Sequence, residues 1–203
     1  MLRYCVHRTN RRRPRRCELA AGCALIVVAV AAVAGCSALN SVSPPGPASA
    51  SSPAQASGTP AGLGTAAAAV LADINEARAK AGLPAYTILA GLETSSARHN
   101  QQMAAGCGLS HQCSGEASPG DRETAAGVRW TAAGENIGEG GPVADASAEI
   151  TQMAVALTNE MLAEKPPDDG HRLNILSSSF SHVGIAVYRN GNGTVWLTQD
   201  FSN

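Results

Sequence analysis

The chain has few aromatic residues, and basic residues are scarce after its first 16 positions. Aromatic side chains make up 3% of the 203 residues, and seven of the 15 lysines and arginines precede residue 17. Without the first 35 residues, 8 basic residues face 15 acidic ones, which gives a formal charge of −7. Because nucleic-acid binding needs a basic surface, this composition argues against a nucleic-acid partner.

Three catalytic patterns are also missing from the sequence. It contains no His-Glu-x-x-His motif, no glycine-rich phosphate loop and no readable Ser-His-Asp order. Ser110 stands beside His111, but adjacent side chains seldom point the same way, so Ser110 is not predicted to be a nucleophile.

The one long apolar run lies near the N-terminus. Seven arginines within residues 3–16 precede residues 19–35, which are almost wholly apolar. This order is typical of a secretory signal, and the run is marginally short for a membrane span of about 20 residues. Residues 1–35 are therefore predicted to lie outside any folded domain. An uncleaved N-terminal anchor is the alternative, and both interpretations place the rest of the chain outside the cytoplasm.

The end of the apolar run carries a modification signal. Val33-Ala34-Gly35-Cys36 resembles the lipobox of bacterial lipoproteins, although leucine is commoner than valine at its first position. In that family the signal is cut before the cysteine, which is then acylated. The resemblance implies membrane attachment through a lipid on Cys36.

Residues 36–64 differ in composition from the rest of the chain. They are mostly Ser, Pro, Ala and Gly with hardly any charge, so they cannot bury enough surface to offset their ordering entropy. We predict a tether of roughly 25 residues between the envelope and one domain at residues 65–203.

Two cysteines, Cys107 and Cys113, fall within that domain. In an oxidising compartment an even pair predicts a disulfide, which here would brace the loop that carries His111. A metal–thiolate site is the alternative, and export from the reducing cytoplasm makes it the weaker one.

Periodicity predicts helices at residues 65–81, with Thr65 as N-cap, and at 90–105 and 145–164. Strands are predicted at residues 182–188 and 194–201 around a hairpin turn, and loops at 106–134. Helices followed by a hairpin favour an α+β domain in which helices cover a small antiparallel sheet.

Three ionisable residues stand out from this pattern. His99 shares a helical stripe with apolar residues, which favours a buried, hydrogen-bonded histidine over a ligand. Glu164 continues the apolar stripe of the third helix, so it is predicted to face the interior or a cleft edge. His171 follows a proline-rich loop and could titrate near neutral pH, bind a metal or only pack.

The order of several short motifs resembles the CAP superfamily (cysteine-rich secretory protein, antigen 5, pathogenesis-related 1), also called the SCP domain, in its short bacterial secreted branch. The similarity covers about residues 66–203. The motifs are Ala97-Arg98-His99-Asn100, Ser110-His111, Gly134-Glu135-Asn136-Ile137, Gly170-His171-Arg172-Leu173-Asn174-Ile175-Leu176 and Val183-Gly184-Ile185.

This resemblance implies an α-β-α sandwich with a central cleft lined by two histidines and two acids. The matching positions are His111, Glu135, Glu164 and His171. Some relatives bind zinc or another divalent cation there, which makes His111 and His171, with Glu135 and Glu164, candidate ligands. Met161 stands where bacterial relatives usually have tryptophan, which changes the packing of the cleft more than its chemistry.

Such a cleft could bind a cation, activate water for hydrolysis, or form a buried polar cluster that shapes a binding surface. The leading hypothesis is a lipid-anchored, non-catalytic binding module at the cell envelope. Its ligand would be a lipid or sterol-like molecule, or a wall or host component. The alternatives are a metal-dependent hydrolase that uses the same cleft and a structural protein whose cleft is vestigial.

Overall fold

The structure, a computed structural model, describes residues 2–10 and 61–203. The apolar run at 19–35, Cys36 and the tether up to residue 60 lie outside the described residues, together with the predictions made for them. Within the described ranges, no helix is both long enough and apolar enough to cross a membrane.

The described residues form one sheet of five strands in the order β1-β3-β5-β4-β2. The short strand β2 pairs parallel with β4, and all other neighbours are antiparallel. The strands are β1 (Leu2–Asn10), β2 (Thr87–Ile88), β3 (Ala132–Gly140), β4 (His182–Arg189) and β5 (Val195–Ser202). The helices are α1 (Ala61–Lys80), α2 (Ala90–Gln102, continued by a π-helical turn, Met103–Cys107), α3 (Pro119–Ala125), α4 (Ser147–Ala163) and α5 (Gly170–Ile175).

Helices cover both faces of the sheet. Because side chains alternate along a strand, Val195, Leu197 and Phe201 of β5 join the main apolar core with α1 and α4. Thr198 points the other way and donates its hydroxyl to Asn100 of α2, at 2.7 Å. The α-β-α sandwich expected from the sequence is therefore confirmed.

Helix α2 lies unusually close to the sheet at Gly184 of β4. A Cβ atom at this position would stand 2.1 Å from the backbone carbon of Leu92 and 2.2 Å from the nitrogen of Glu93. Only glycine fits between this helix and this strand.

The predicted helices and hairpin are present with shifted bounds. Helix α1 begins at Ala61, so Thr65 is not its N-cap. The first turn of the helix lies within residues 36–64, the segment predicted to be a tether. The alanine-rich sequence explains the extension, because alanine has the highest intrinsic helix propensity and offsets Gly64. Helix α4 and the two hairpin strands agree with the predicted segments within a few residues.

Residues 2–10 depart from the prediction that residues 1–35 lie outside the folded part. They form β1, paired with β3 from Leu2 opposite Gly140 to Asn10 opposite Ala132. The edge of β3 supplies a row of backbone groups to this segment, and Arg3 reaches Glu139 at 3.7 Å. The cleavage of a secretory signal remains a prediction.

The predicted disulfide between Cys107 and Cys113 is confirmed. Their Cα atoms are 5.6 Å apart. The two cysteines are six positions apart in the sequence, and His111 lies in the loop between them.

A buried arginine ties α1 to the end of α5. Arg78 is 1% exposed and lies over the Tyr86 ring, with its guanidinium carbon 3.5 Å from the ring centroid. Its guanidinium donates to the carbonyls of Pro84, Ile175 and Ser177 at 2.7 to 2.9 Å. No carboxylate is among these partners. The hydrogen bonds to the carbonyl dipoles offset the free-energy cost of burying the charged guanidinium.

Candidate functional site

The four residues singled out by the sequence come from four different segments. His111 lies in the disulfide-closed loop, Glu135 on β3, Glu164 directly after α4, and His171 in the first turn of α5. The structure brings them together as two contacting pairs, one histidine and one glutamate in each.

The first pair is His111 and Glu135. His111 Nδ1 lies 2.7 Å from Glu135 Oε1, and the Glu135 side chain is fully buried. Arg122 of α3 donates through Nη2 to Glu135 Oε2 and through Nη1 to the backbone carbonyl of His111, the latter at 2.8 Å. One guanidinium therefore fixes both members of the pair and neutralises the buried carboxylate.

The second pair is His171 and Glu164. His171 Nδ1 lies 2.5 Å from Glu164 Oε1, and their side chains are 6% and 8% exposed. The other carboxylate oxygen accepts the backbone N–H groups of His171, at 2.9 Å, and of Arg172, at 3.3 Å. Glu164 thus satisfies the first turn of α5 as well as orienting the imidazole, as the inward-facing carboxylate expected from the sequence.

A ladder of buried amides holds the second pair against the sheet. Asn136 Nδ2 donates to the His171 carbonyl at 3.2 Å and to Gln199 Oε1 at 3.1 Å. Asn174 Nδ2 donates to Asn136 Oδ1 at 3.0 Å, and Gln199 Nε2 donates to Thr158 of α4 at 3.1 Å. The asparagines of the Gly-Glu-Asn and His-Arg-Leu-Asn motifs are therefore positioning residues, a role that sequence reasoning did not assign.

A third carboxyl, Asp200, also belongs to the cluster and was missed. It stands opposite Glu135 in the pairing of β3 with β5 and is fully buried. Burial, and then the neighbouring Glu135, raise the pKa of Asp200 well above its usual range. The signal that could have found it is the alternation of β5, which directs Asp200 to the same face as Thr198 and away from the apolar core.

His99 is buried and hydrogen-bonded, as the sequence indicated. Its Nδ1 lies 2.9 Å from Glu116 Oε1, and its Nε2 lies 4.0 Å from Glu135 Oε1. Burial and the nearby Arg122 lower the pKa of His99, against the opposing effect of Glu116. His99 therefore extends the polar cluster under the first pair.

Burial shifts the two members of the first pair in opposite directions. It raises the pKa of Glu135 to about 7, even though Arg122 favours the carboxylate. Burial, followed by His99 and Arg122, lowers the pKa of His111 to about 4. Near neutral pH the imidazole of His111 is therefore uncharged, whereas the Glu135 carboxyl exchanges a proton in that range.

Strand β1 lies between the two pairs. Glu135 and Asn136 are consecutive on β3, so their side chains point to opposite faces of the sheet, towards the first and the second pair respectively. Opposite Glu135 in the register stands His7, whose ring lies 5.6 Å from that of His111. The His7 carbonyl accepts a hydrogen bond from Asn174 at 3.1 Å, on the side of the second pair.

The four candidate cation ligands lie in two separate pairs in this arrangement, and cation binding there stays a prediction. Among residues 2–10 and 61–203, only His99, Cys113 and Glu116 form a group of three with potential donor atoms within 4.8 Å of one another. Cys113 is in the disulfide and offers no thiolate, so this group of three does not suit a metal. The geometry favours hydrogen-bonded pairs that order a surface at the edge of β3.

Comparison with known proteins agrees with this architecture. A family model described as "Cysteine-rich secretory protein family" (CAP) matches residues 71–201. The protein YkwD of Bacillus subtilis (strain 168), described as uncharacterised, is 28% identical over 125 residues, which are 62% of this chain and 42% of YkwD.

A solved structure supports the fold itself. The crystal structure of an extracellular protein containing an SCP domain from Bacillus anthracis superposes with a TM-score of 0.56 at 24% identity. The similarity covers 70% of this chain and 41% of that one. The chain thus spans less than half the length of either relative.

Proposed function

This chain belongs to the cysteine-rich secretory protein (CAP) family, and we propose that it is an extracytoplasmic, lipid-anchored binding module at the cell envelope. The His/Glu cleft serves binding rather than catalysis. The anchor is the lipid on Cys36, and the ligand is a lipid or sterol-like molecule or an envelope component. The description of the B. anthracis relative as extracellular supports the location.

The observation that carries the binding function is that each cleft histidine is held by a glutamate. Each cleft histidine has its Nδ1 engaged by a glutamate, and Arg122 neutralises Glu135. The Ser110 hydroxyl donates to the backbone carbonyl of Gln112 at 3.0 Å instead of to His111. Polar groups fixed in this way give a surface of defined shape, which suits recognition.

The binding function is tested by titrating the membrane-purified protein against lipid vesicles, a sterol and isolated wall polymer. We expect saturable binding to one of these, weakened by the double substitution His111→Asn and His171→Asn. If none of the three binds, or if the double variant binds equally well, the cleft does not recognise these ligands.

The anchor has a separate test. The Cys36→Ser protein should remain uncut or leave the membrane, whereas the unchanged protein partitions with detergent and carries the mass of a lipid. Unchanged retention and unchanged mass in the variant would contradict the lipoprotein interpretation.

A hydrolase is the second candidate. The observation that favours it is the pKa of Glu135 near 7, the range in which a general base works best. Turnover of a peptide, ester or glycan substrate that disappears in the Glu135→Gln variant would support hydrolysis. Equal rates in both proteins would remove it.

A further inference from the structure

The outer edge of β3 accepts a strand along its whole length. All nine residues of β3, from Ala132 to Gly140, have a partner in β1. An edge of this kind offers N–H and C=O groups to any extended peptide, whatever its side chains. Addition of a strand from another protein to such an edge is a common mode of peptide recognition.

The edge is also shaped for one aliphatic side chain. Val6 of β1 lies over Gly170, the first residue of α5, where a Cβ atom would approach Val6 Cγ1 to 2.6 Å. Because Gly170 has no side chain, it leaves space for the side chain of Val6, and any larger residue would fill that space. We call this space the Gly170 seat. Next to this seat, Asn174 donates to the strand's backbone, a contact that does not depend on the strand's sequence.

The contacts of two arginines add a preference for basic strands. Arg3 pairs with Glu139 at 3.7 Å, at one end of β1. Near the other end, Arg8 donates to Ser177 at 2.8 Å and lies 5.2 Å from the centroid of the Phe180 ring. An arginine at each end of the seat therefore finds a partner on the domain.

Residues 2–10 belong to the segment that signal cleavage would remove. Cleavage before Cys36 would take β1 away and leave β3 as the edge of the sheet, with the Gly170 seat and Asn174 beside it. We propose that in the mature protein this edge binds an extended basic peptide of another protein, added antiparallel to β3 between the two His/Glu pairs. The proposal rests on the proposed function in that it assigns the cleft to binding.

The experiment keeps the full chain for folding and frees β1 afterwards. A specific protease site is inserted after Asn10, and the folded protein is cut there. A labelled peptide with the sequence of residues 2–10, carrying Cys5→Ser, is then titrated against cut and uncut protein. We expect binding to the cut protein at least about tenfold tighter, because in the uncut chain the tethered strand competes at a high effective concentration.

Two glycine variants provide a matched control in the cut protein. Gly170→Ala should weaken the peptide at least tenfold, and a Val6→Gly peptide should restore binding, since it vacates the space that the new Cβ needs. Gly191→Ala adds the same methyl group in the β4–β5 turn, where nothing lies within 4 Å, and should change nothing.

A third arm separates strand addition from side-chain binding. N-methylation of every second peptide amide should abolish binding for the set that faces β3 and leave it for the other set. Equal binding of both sets, equal binding to cut and uncut protein, or an unaffected Gly170→Ala variant would overturn the proposal. A protein that unfolds on cutting would overturn it too, because β1 would then be integral.

The outcome for the proposed function is distinguishable. The cut protein could bind lipid or wall polymer saturably but fail to bind the peptide. That result would support the binding module and contradict the strand site. A peptide that binds and is then cut, seen by mass spectrometry, would support the strand site and contradict the non-catalytic function.

Discussion

At the scale of single residues, the cluster around β3 depends on Arg122. This guanidinium is the positive charge that contacts the buried Glu135, and Asp200 lies beside the same carboxylate. Without the Arg122 guanidinium, the buried Glu135 carboxylate would have no compensating positive charge. It would then either stay charged at a large desolvation cost or take up a proton.

Arg122→Met should therefore lower the free energy of unfolding by about 3 kcal/mol, the typical cost of breaking a buried ion pair. Urea denaturation at neutral pH measures it. Lys80→Met is the control, because Lys80 is 73% exposed and pairs with Glu76, which is 64% exposed. The control should lose much less stability, because an exposed ion pair contributes little, and equal losses in the two variants would contradict the role given to Arg122.

Tyr86 gives a prediction with a definite sign in pH. Burial raises the pKa of this phenol to about 12, against an ordinary value of 10.0, so the folded state retains the proton longer than the unfolded chain. The stabilisation is complete below about pH 10 and is lost as the pH rises towards about 12.

At neutral pH, Tyr86→Phe should cost about 1 kcal/mol, because the hydroxyl donates to the Asn174 and Ser177 carbonyls. As the pH rises from about 10 to 12, the unchanged protein loses up to about 3 kcal/mol that the variant does not, so the two stability curves should cross. Denaturant midpoints across this range measure the crossing, and a constant difference would contradict the shifted pKa.

At the scale of elements, the layers of the sandwich are held at a fixed spacing by Gly184. Gly184→Ala should lower the free energy of unfolding by about 2 kcal/mol or more, since the new methyl group must displace α2 from β4. Thermal denaturation measures the loss. Gly191→Ala is again the control, and equal melting temperatures for the two variants would show that α2 yields without cost.

The elements that sequence could predict are those with a strong pattern of their own. Helix α4 has regularly spaced apolar residues, and the hairpin has two runs rich in β-branched and aromatic residues around a glycine-containing turn. Strand β3 was missed because its sequence, with three glycines and two glutamates, has low β propensity. It is a strand because β5 pairs with it and the surrounding layers bury it.

The same distinction applies to the site. The resemblance to a family indicated His111, Glu135, Glu164 and His171, and helical spacing placed Glu164 facing inwards. Their grouping into two pairs could not be predicted, because it depends on which face of β3 each neighbour approaches. The alternation of β5 indicates which face Asp200 occupies, but local sequence does not specify the register that sets it opposite Glu135.

At the scale of the whole molecule, the disulfide holds the loop of His111 against the rest of the cluster. Replacing both Cys107 and Cys113 with serine should lower the free energy of unfolding by about 2 kcal/mol, from the added entropy of the unfolded chain. Denaturation of the reduced and oxidised protein measures the same difference without mutation. A loss well below about 1 kcal/mol would mean that the loop is ordered by its other contacts alone, such as that between Arg122 and the His111 carbonyl.

The buried guanidinium of Arg78 has a consequence for hydrogen exchange. Helix α5 has six residues, too few to persist alone, yet the carbonyl of its last residue, Ile175, is bound by Arg78, almost 100 positions earlier in the chain. Its amides should therefore not exchange with solvent as those of a short surface helix do, but at the rate at which α1 itself opens. Helix α5, which carries His171 on one side of the cleft, then unfolds only when the core of the domain opens.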